Sequence, residues 1–118
     1  MYFQESMIFL MDEDVQTMLE IDSSTIASLS SAKVLLSLKL SDGKLAFPEF
    51  QFKEGTYHPE LIVSFQKFNE SFSGWDVATW FYKWNENLRD IPVKYVNSVE
   101  GVLKLRMVID LEMSLARL

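Results

Sequence analysis

The last twenty residues constrain this chain more than any other stretch. From Ser98 or Val99 onward the sequence reads as one helix. At about 100° per residue its apolar side chains, Val102, Leu103, Leu105, Met107, Val108, Ile109, Leu111, Met113, Leu115 and Leu118, spread round the whole circumference. Arg106, Asp110 and Arg117 make one narrow charged stripe, with Glu100, Lys104 and Glu112 elsewhere. A surface helix in a monomer is apolar over one broad stripe only. A helix apolar nearly all round is either central in the core or covered by another chain. In a domain this small a covering partner is the expectation, either a second copy or a different protein.

The remaining composition bounds what such a partner-seeking chain can be. Its 118 residues suit one domain, and 48% apolar content is ample for a core. Cysteine is absent, which excludes disulfides, thiolate catalysis and cysteine metal sites, and the lone His58 excludes a multi-histidine centre. No cofactor is expected. No apolar run approaches the length of a membrane span, and no Lys or Arg precedes Lys33, so the usual secretory signal is missing and the expected location is cytoplasmic.

The net charge of −6 is not spread evenly. Glu5, Asp12, Glu13, Asp14, Glu20 and Asp22 fall in residues 1–32 with no base among them, while residues 33–118 balance eleven acids against eleven bases. Phosphate backbones repel such a front end, since affinity for nucleic acid comes largely from Lys and Arg displacing counterions.

Three stretches follow along the chain. Residues 1–6, with Tyr-Phe-Gln-Glu-Ser after the first Met, read as a cleavage-tag remnant or as disordered, with Met7 a candidate native start. Residues 7–47 read as a helix-turn-helix-like segment plus a β-hairpin. Asp12 would cap a first helix carrying Val15, Met18 and Leu19 inward, and a second would start near Ser23 or Ser24 with Ile26, Leu29 and Ala32 inward. That second helix lacks the Arg, Asn and Gln groups that read base edges. Leu36, Leu38 and Leu40 then alternate with polar residues, Asp42-Gly43 is a strong hairpin signal, and Leu45 to Phe47 returns until Pro48. Residues 48–118 read as helical, the whole most simply one unit. Pro59 opens a helix with Leu61, Ile62, Phe65 and Phe68 inward to about Glu70. Ser73-x-x-Asp76 caps another with Val77, Trp80, Phe81 and Trp84 on one face, and Pro92 opens a short turn before the last helix.

Little of this carries chemistry. His58 is the one general-base candidate, yet it stands directly before a helix-opening proline with no nucleophile pattern nearby, and reads better as a helix-start residue. Asp12 with Asp14, and Asp110 with Glu112, lack the glycine and further oxygen ligands of a cation loop, so solvated helix faces explain them. The four glycines stand singly, with no phosphate-cradling loop. An enzyme is not expected. Among the aromatics, Trp80, Phe81 and Trp84 fit a core face, whereas Tyr82 lies off that stripe and is open to either a core or an interface role.

Phe47-Pro48-Glu49-Phe50-Gln51-Phe52, followed by Gly55 and His58-Pro59-Glu60-Leu61, resembles the Phe-Pro-x-aromatic-Gln-Phe signature of bacterial Xre/MbcA/ParS-type antitoxins. Trp75, Trp80-Phe81, Asn85, Leu88 and Pro92 fall where the toxin-binding domain of that family has its Trp, Trp-aromatic, Asn, Leu and Pro landmarks, and the likeness spans roughly residues 36–107. Arg89 and Ile91 depart from it, standing where the family often has a small residue such as Gly and a capping Thr. The resemblance implies an antitoxin, usually dimeric, that covers the active-site entrance of a RES-type toxin, an enzyme that attacks NAD. DNA binding, which many family members show, is not expected of so acidic a front end.

The expectation is a mainly α fold with a small β-hairpin, a helix-turn-helix-like front and a compact helical toxin-binding domain. It would act by steric neutralisation, as a homodimer in the family manner. Partner contacts are expected at Met107, Leu111, Met113 and Leu115 of the last helix, with Tyr82 and Arg89 beside them. The alternatives are a transcriptional regulator that binds DNA through the front helix pair, with Lys33, Lys39 and Lys44 supplying a basic face, and a homodimeric interaction module without a toxin.

Overall fold

Side chains alternate between the two faces of a strand, and here both faces are covered. The computed structural model describes residues 7–116 of the chain. The tag-like stretch 1–6, and Arg117 and Leu118 at the other end, lie outside the described residues. Strands β1 (Phe9–Met11), β2 (Leu38–Lys39) and β3 (Leu45–Pro48) form an antiparallel sheet in the order β1-β3-β2, with Leu10 opposite Phe47 and Leu38 opposite Ala46. Leu10, Leu45 and Phe47 pack with Val15, Ile26 and Leu35 on one side. Met11, Leu38 and Ala46 pack into the larger cluster on the other.

The first cluster is roofed by α1 (Asp12–Leu19) and α2 (Ser23–Ser31). Asp12 does not cap α1. It lies in the first turn and ties the two helices together, accepting from Gln16 Nε2 at 2.7 Å and Ser23 Oγ at 3.0 Å, while Asp14 accepts the Met11 N–H. Asp22 caps α2, accepting from the Thr25 hydroxyl and N–H, which hold its carboxyl below the usual carboxylate range.

The second cluster belongs to α3 (Pro59–Lys67), α4 (Gly74–Tyr82) and α5 (Val99–Leu115). Their starts follow the sequence closely. Pro59 takes the first helical position of α3. Ser73 and Asp76 make a reciprocal capping box even though Asp is a methylene shorter than Glu: the Ser73 hydroxyl accepts the Asp76 N–H at 3.1 Å and the carboxylate accepts the Ser73 N–H at 2.8 Å. Ser98 Oγ accepts the Gly101 N–H at 2.9 Å to open α5.

The fold is α+β, with five α-helices and two small sheets among the described residues, and this corrects the expectation of a mainly α chain with one hairpin. Two strand pairings were not foreseen. β1 is three residues long and finds its partner far along the chain, at Ala46 to Pro48, so no local alternation announces it. A second ribbon joins β4 (Phe52–Lys53) to β5 (Thr56–Tyr57) through Glu54 and Gly55, both left-handed at φ 53° and 79°. Such two-residue turns favour Asn-Gly or Asp-Gly, and Glu in the first position hides the signal. The boundary drawn between residues 47 and 48 falls inside β3, whose alternate residues serve both clusters.

Helix ends also moved. Phe68 turns extended and stops α3 short of Glu70, which lets its ring pack at 5.5 Å from Phe72 and 5.4 Å from Trp80. Lys83 does the same to α4, so Trp84 never joins the face that carries Trp80 and stands half exposed.

Candidate functional site

The signature hexapeptide turns out to be architecture. After β3 a single 3-10 turn, Glu49–Gln51, drives the Gln51 side chain inward until it is 1% exposed. There it acts as a substitute strand for Leu36. Oε1 accepts the Leu36 N–H at 2.8 Å, and Nε2 donates to the Leu36 carbonyl at 2.8 Å and the Pro48 carbonyl at 3.1 Å. All hydrogen-bonding groups of the amide are thereby engaged in the interior. Phe50 leaves the same turn on the other side, its ring 4.8 Å from Phe81 and 5.8 Å from Tyr82.

The Asn–Leu–Pro landmark is a second such device. Asn85 Oδ1 accepts the N–H groups of Asn87 and Leu88, and its backbone exchanges bonds with Asp90 and Arg89. This turn is fastened to α5 through Glu112, a half-buried carboxylate accepting from Trp80 Nε1 at 2.8 Å, Asn85 Nδ2 at 2.7 Å and Asn87 Nδ2 at 2.9 Å. Glu112→Ala is expected to cost about 1–3 kcal/mol, because three donors lose their acceptor together. Urea unfolding followed by tryptophan fluorescence measures it.

Arg89 sits in that turn with a left-handed backbone at φ 55° and an exposed side chain. The conformation explains why a small residue is at home there: a Cβ in this region costs roughly 1–2 kcal/mol that glycine avoids. Against the larger backbone entropy that glycine loses on folding, about 0.4–1 kcal/mol, Arg89→Gly is expected to stabilise the fold by up to about 1 kcal/mol, read as a raised melting temperature.

The other partner-contact candidates divide sharply. Tyr82 and Met113 are buried, so neither presents a surface. Tyr82 is held against Phe50, and the Met113 sulfur accepts the Asn69 N–H at 3.4 Å. Met107, Leu111 and Leu115 are exposed, Met107 most of all at 71%. Val99 and Leu103, which were not among the site residues, are exposed too. These five stand at every fourth position, a single oblique row along the helix, while Val102, Leu105, Val108, Ile109 and Met113 fill the core face. The fourfold step alone does not single out this row, because Leu105, Ile109 and Met113 step by four as well, about 200° away on the buried face.

Polar anchors fix the rest of α5. Lys67 Nζ reaches both oxygens of Asp110 at 2.9 Å, and Arg106 Nη2 donates to the Glu60 carbonyl at 2.7 Å. Asp110 and Glu112 therefore face different neighbours and form no acid pair. His58 is buried at the start of α3 with Nδ1 3.3 Å from a Glu60 oxygen, and its Nε2 has no hydrogen-bond partner among the described residues. Among the described residues no three of His, Cys, Asp or Glu gather as a metal site, and no helix is long and apolar enough to cross a membrane. Compared with protein-family models, curated proteins and solved structures, the chain matches none of them.

Proposed function

We propose that this chain is a non-catalytic binding protein of the antitoxin type, which neutralises an NAD-attacking toxin of the RES type by occupying its active-site entrance in the cytoplasm. The observation that carries the reading is the exposed apolar row of α5. A groove of about 620 Å³ lined by Trp80, Trp84, Lys83 and Glu112 is another roomy feature, but the Glu112 carboxylate is already taken by the chain's own indole and amide donors. The row instead offers apolar anchors on a rigid helix, left open by the described residues, and the work expected of it is occlusion. Met107, Leu111 and Leu115 are the residues assigned to the contact. The resemblance in the Gln51 and Asn85 segments supports the type of partner, and the Asn85 turn is tied to α5 through Glu112.

The test is expression of the neighbouring gene product alone and together with this chain, with growth and cellular NAD as readouts. The expected result is arrest and NAD loss when the neighbour is expressed alone, both relieved by co-expression. A neighbour harmless on its own removes the reading. The acidic front end gives the regulator alternative no support.

A further inference from the structure

A cavity of about 140 Å³ lies on the seam between the two hydrophobic clusters, and no residue of α5 lines it. Leu35 of the first cluster meets Leu36, Phe65, Phe68 and Val77 of the second around this space, and Phe72 adds a third ring. Such walls make a poor site for water, which needs roughly two to four polar partners. An apolar cavity of about 150 Å³ in a protein interior stays dry and takes up benzene, so the size here is that of one six-membered ring.

Two polar groups give the space a head end. Ser30 Oγ is buried and has no hydrogen-bond partner among the described residues. Ser28 satisfies its hydroxyl on the Ser24 carbonyl at 3.2 Å, one turn back in α2, but Ser30 makes no such bond. A buried hydroxyl left unmatched is costly, and a ligand acceptor would recover that cost. Lys33 follows the end of α2 with a left-handed backbone at φ 59° and lines the same cavity. Among the described residues it is the only ionisable side chain there, and it makes no ion pair. The last carbonyls of α2 do not compete for these donors. That of Ser28 accepts the Ala32 N–H, that of Leu29 accepts from Val34 and Leu35, and that of Ser30 accepts from Lys33. A hydroxyl donor and an ammonium beside an aromatic-walled space suit a small ring with an anionic, acceptor-rich head. We infer that this cavity binds a monocyclic aromatic carboxylate, its ring among Phe65, Phe68 and Phe72 and its carboxylate on Ser30 Oγ and the Lys33 ammonium. The ligand touches both clusters at once, so its binding stabilises the joint between them.

Benzoate added to the full chain is the probe. A Kd on the order of 1 mM or below is expected for so small a ligand. The methyl resonances of Leu35, Leu36 and Val77 are expected to shift, while those of Leu103, Leu111 and Leu115 on the exposed α5 row stay in place. Acetate, which lacks the ring, and 1-naphthoate, which has one ring too many, are each expected to bind at least about tenfold more weakly. Ser30→Ala removes a hydrogen bond to a charged group and is expected to weaken benzoate by about tenfold or more. Lys33→Gln is expected to weaken benzoate by about fivefold, the value of an exposed ion pair, and to leave the weaker binding of uncharged benzamide unchanged. Both positions tolerate the change without loss of helix content by circular dichroism, since Ser30 is half-buried and Lys33 exposed. No shift at about 10 mM benzoate, more than tenfold above the expected Kd, overturns the proposal. So do shifts confined to the α5 methyls, a Ser30→Ala or Lys33→Gln variant with undiminished affinity, or 1-naphthoate binding more tightly than benzoate. None of these outcomes bears on the toxin reading, which rests on α5.

Discussion

Gln51→Glu is expected to remove a large part of the stability of this chain at neutral pH while sparing much of it near pH 4. The substitution keeps the shape and reverses the chemistry of one half of the amide. Where Nε2 donates to the Leu36 and Pro48 carbonyls, a carboxylate oxygen would face two acceptors in a site 1% exposed, with no cation among the groups it meets. Leaving a buried charge unpaired costs roughly 3–5 kcal/mol, against about 5–15 kcal/mol for the whole stability of a domain. The group can escape by binding a proton, which restores a donor to Leu36. Its folded pKa is then raised above the unfolded value of about 4.3, so the loss is small below that value and grows as pH rises above it. Gln51→Leu removes the pH dependence and leaves three backbone groups unpaired, an expected cost of about 2–4 kcal/mol at every pH. Thermal unfolding of the three proteins at pH 4 and pH 7 checks both the size and the sign. An equal loss for Glu at the two pH values would show that the amide site is not sealed from water.

Gln51 also shows why parts of this fold could be read from the sequence and others not. Signals carried by neighbouring residues were legible: Pro59 at the start of α3, the Ser73–Asp76 box, the start of α5 at Ser98 or Val99, and the Asp42-Gly43 turn, where Asp42 Oδ1 accepts the Lys44 N–H at 2.9 Å. Signals that depend on a distant partner were not. β1 has no alternation of its own and exists because β3 offers an open edge. Tyr82 lies off the stripe of α4, yet α4 is covered on two sides, by Phe50 as well as by the helical cluster, so a residue outside one face still falls into the core. Trp84 misled in the opposite direction, because helical spacing counts only while the helix lasts and Lys83 ends it. The α5 row was half read. Its members at 107, 111 and 115 were singled out from an all-round apolar pattern, but burial alone separates the row from the core face, where Val99 and Leu103 join it and Met113 leaves.

Gly101→Ala is the other substitution expected to cost far more than its size suggests. Gly101 lies in the first turn of α5, and on helix propensity alone alanine there would stabilise by about 1 kcal/mol. The packing opposes this. A Cβ at Gly101 would run into the Tyr95 carbonyl and come within 2.8 Å of Ser98 Oγ, the atom that caps the helix. The Ser98 hydroxyl could rotate away, but the carbonyl belongs to the 3-10 turn Pro92–Tyr95, which is held in place by Pro92, itself buried, and by the Tyr95 hydroxyl, which donates to the Leu88 carbonyl. Relief therefore requires the start of α5 to lift from that turn, losing the Ser98 cap and part of the contact of Val102 and Leu105 with the core. A lost cap costs about 1 kcal/mol and overpacking typically about 1–3 kcal/mol, so the net expected effect is a destabilisation of about 2–3 kcal/mol despite the better propensity. Gly74→Ala provides the matched comparison, since its Cβ would meet the Ser37 carbonyl beside β2. If both close approaches are as described, guanidinium unfolding will show losses of similar size at the two sites. Amide exchange will rise first at residues 99–102 in one variant and near Ser37 in the other. A neutral or stabilised Gly101→Ala would mean that α5 begins further from Tyr95 than the structure places it, and the row it carries would be set at a different angle to the rest of the fold.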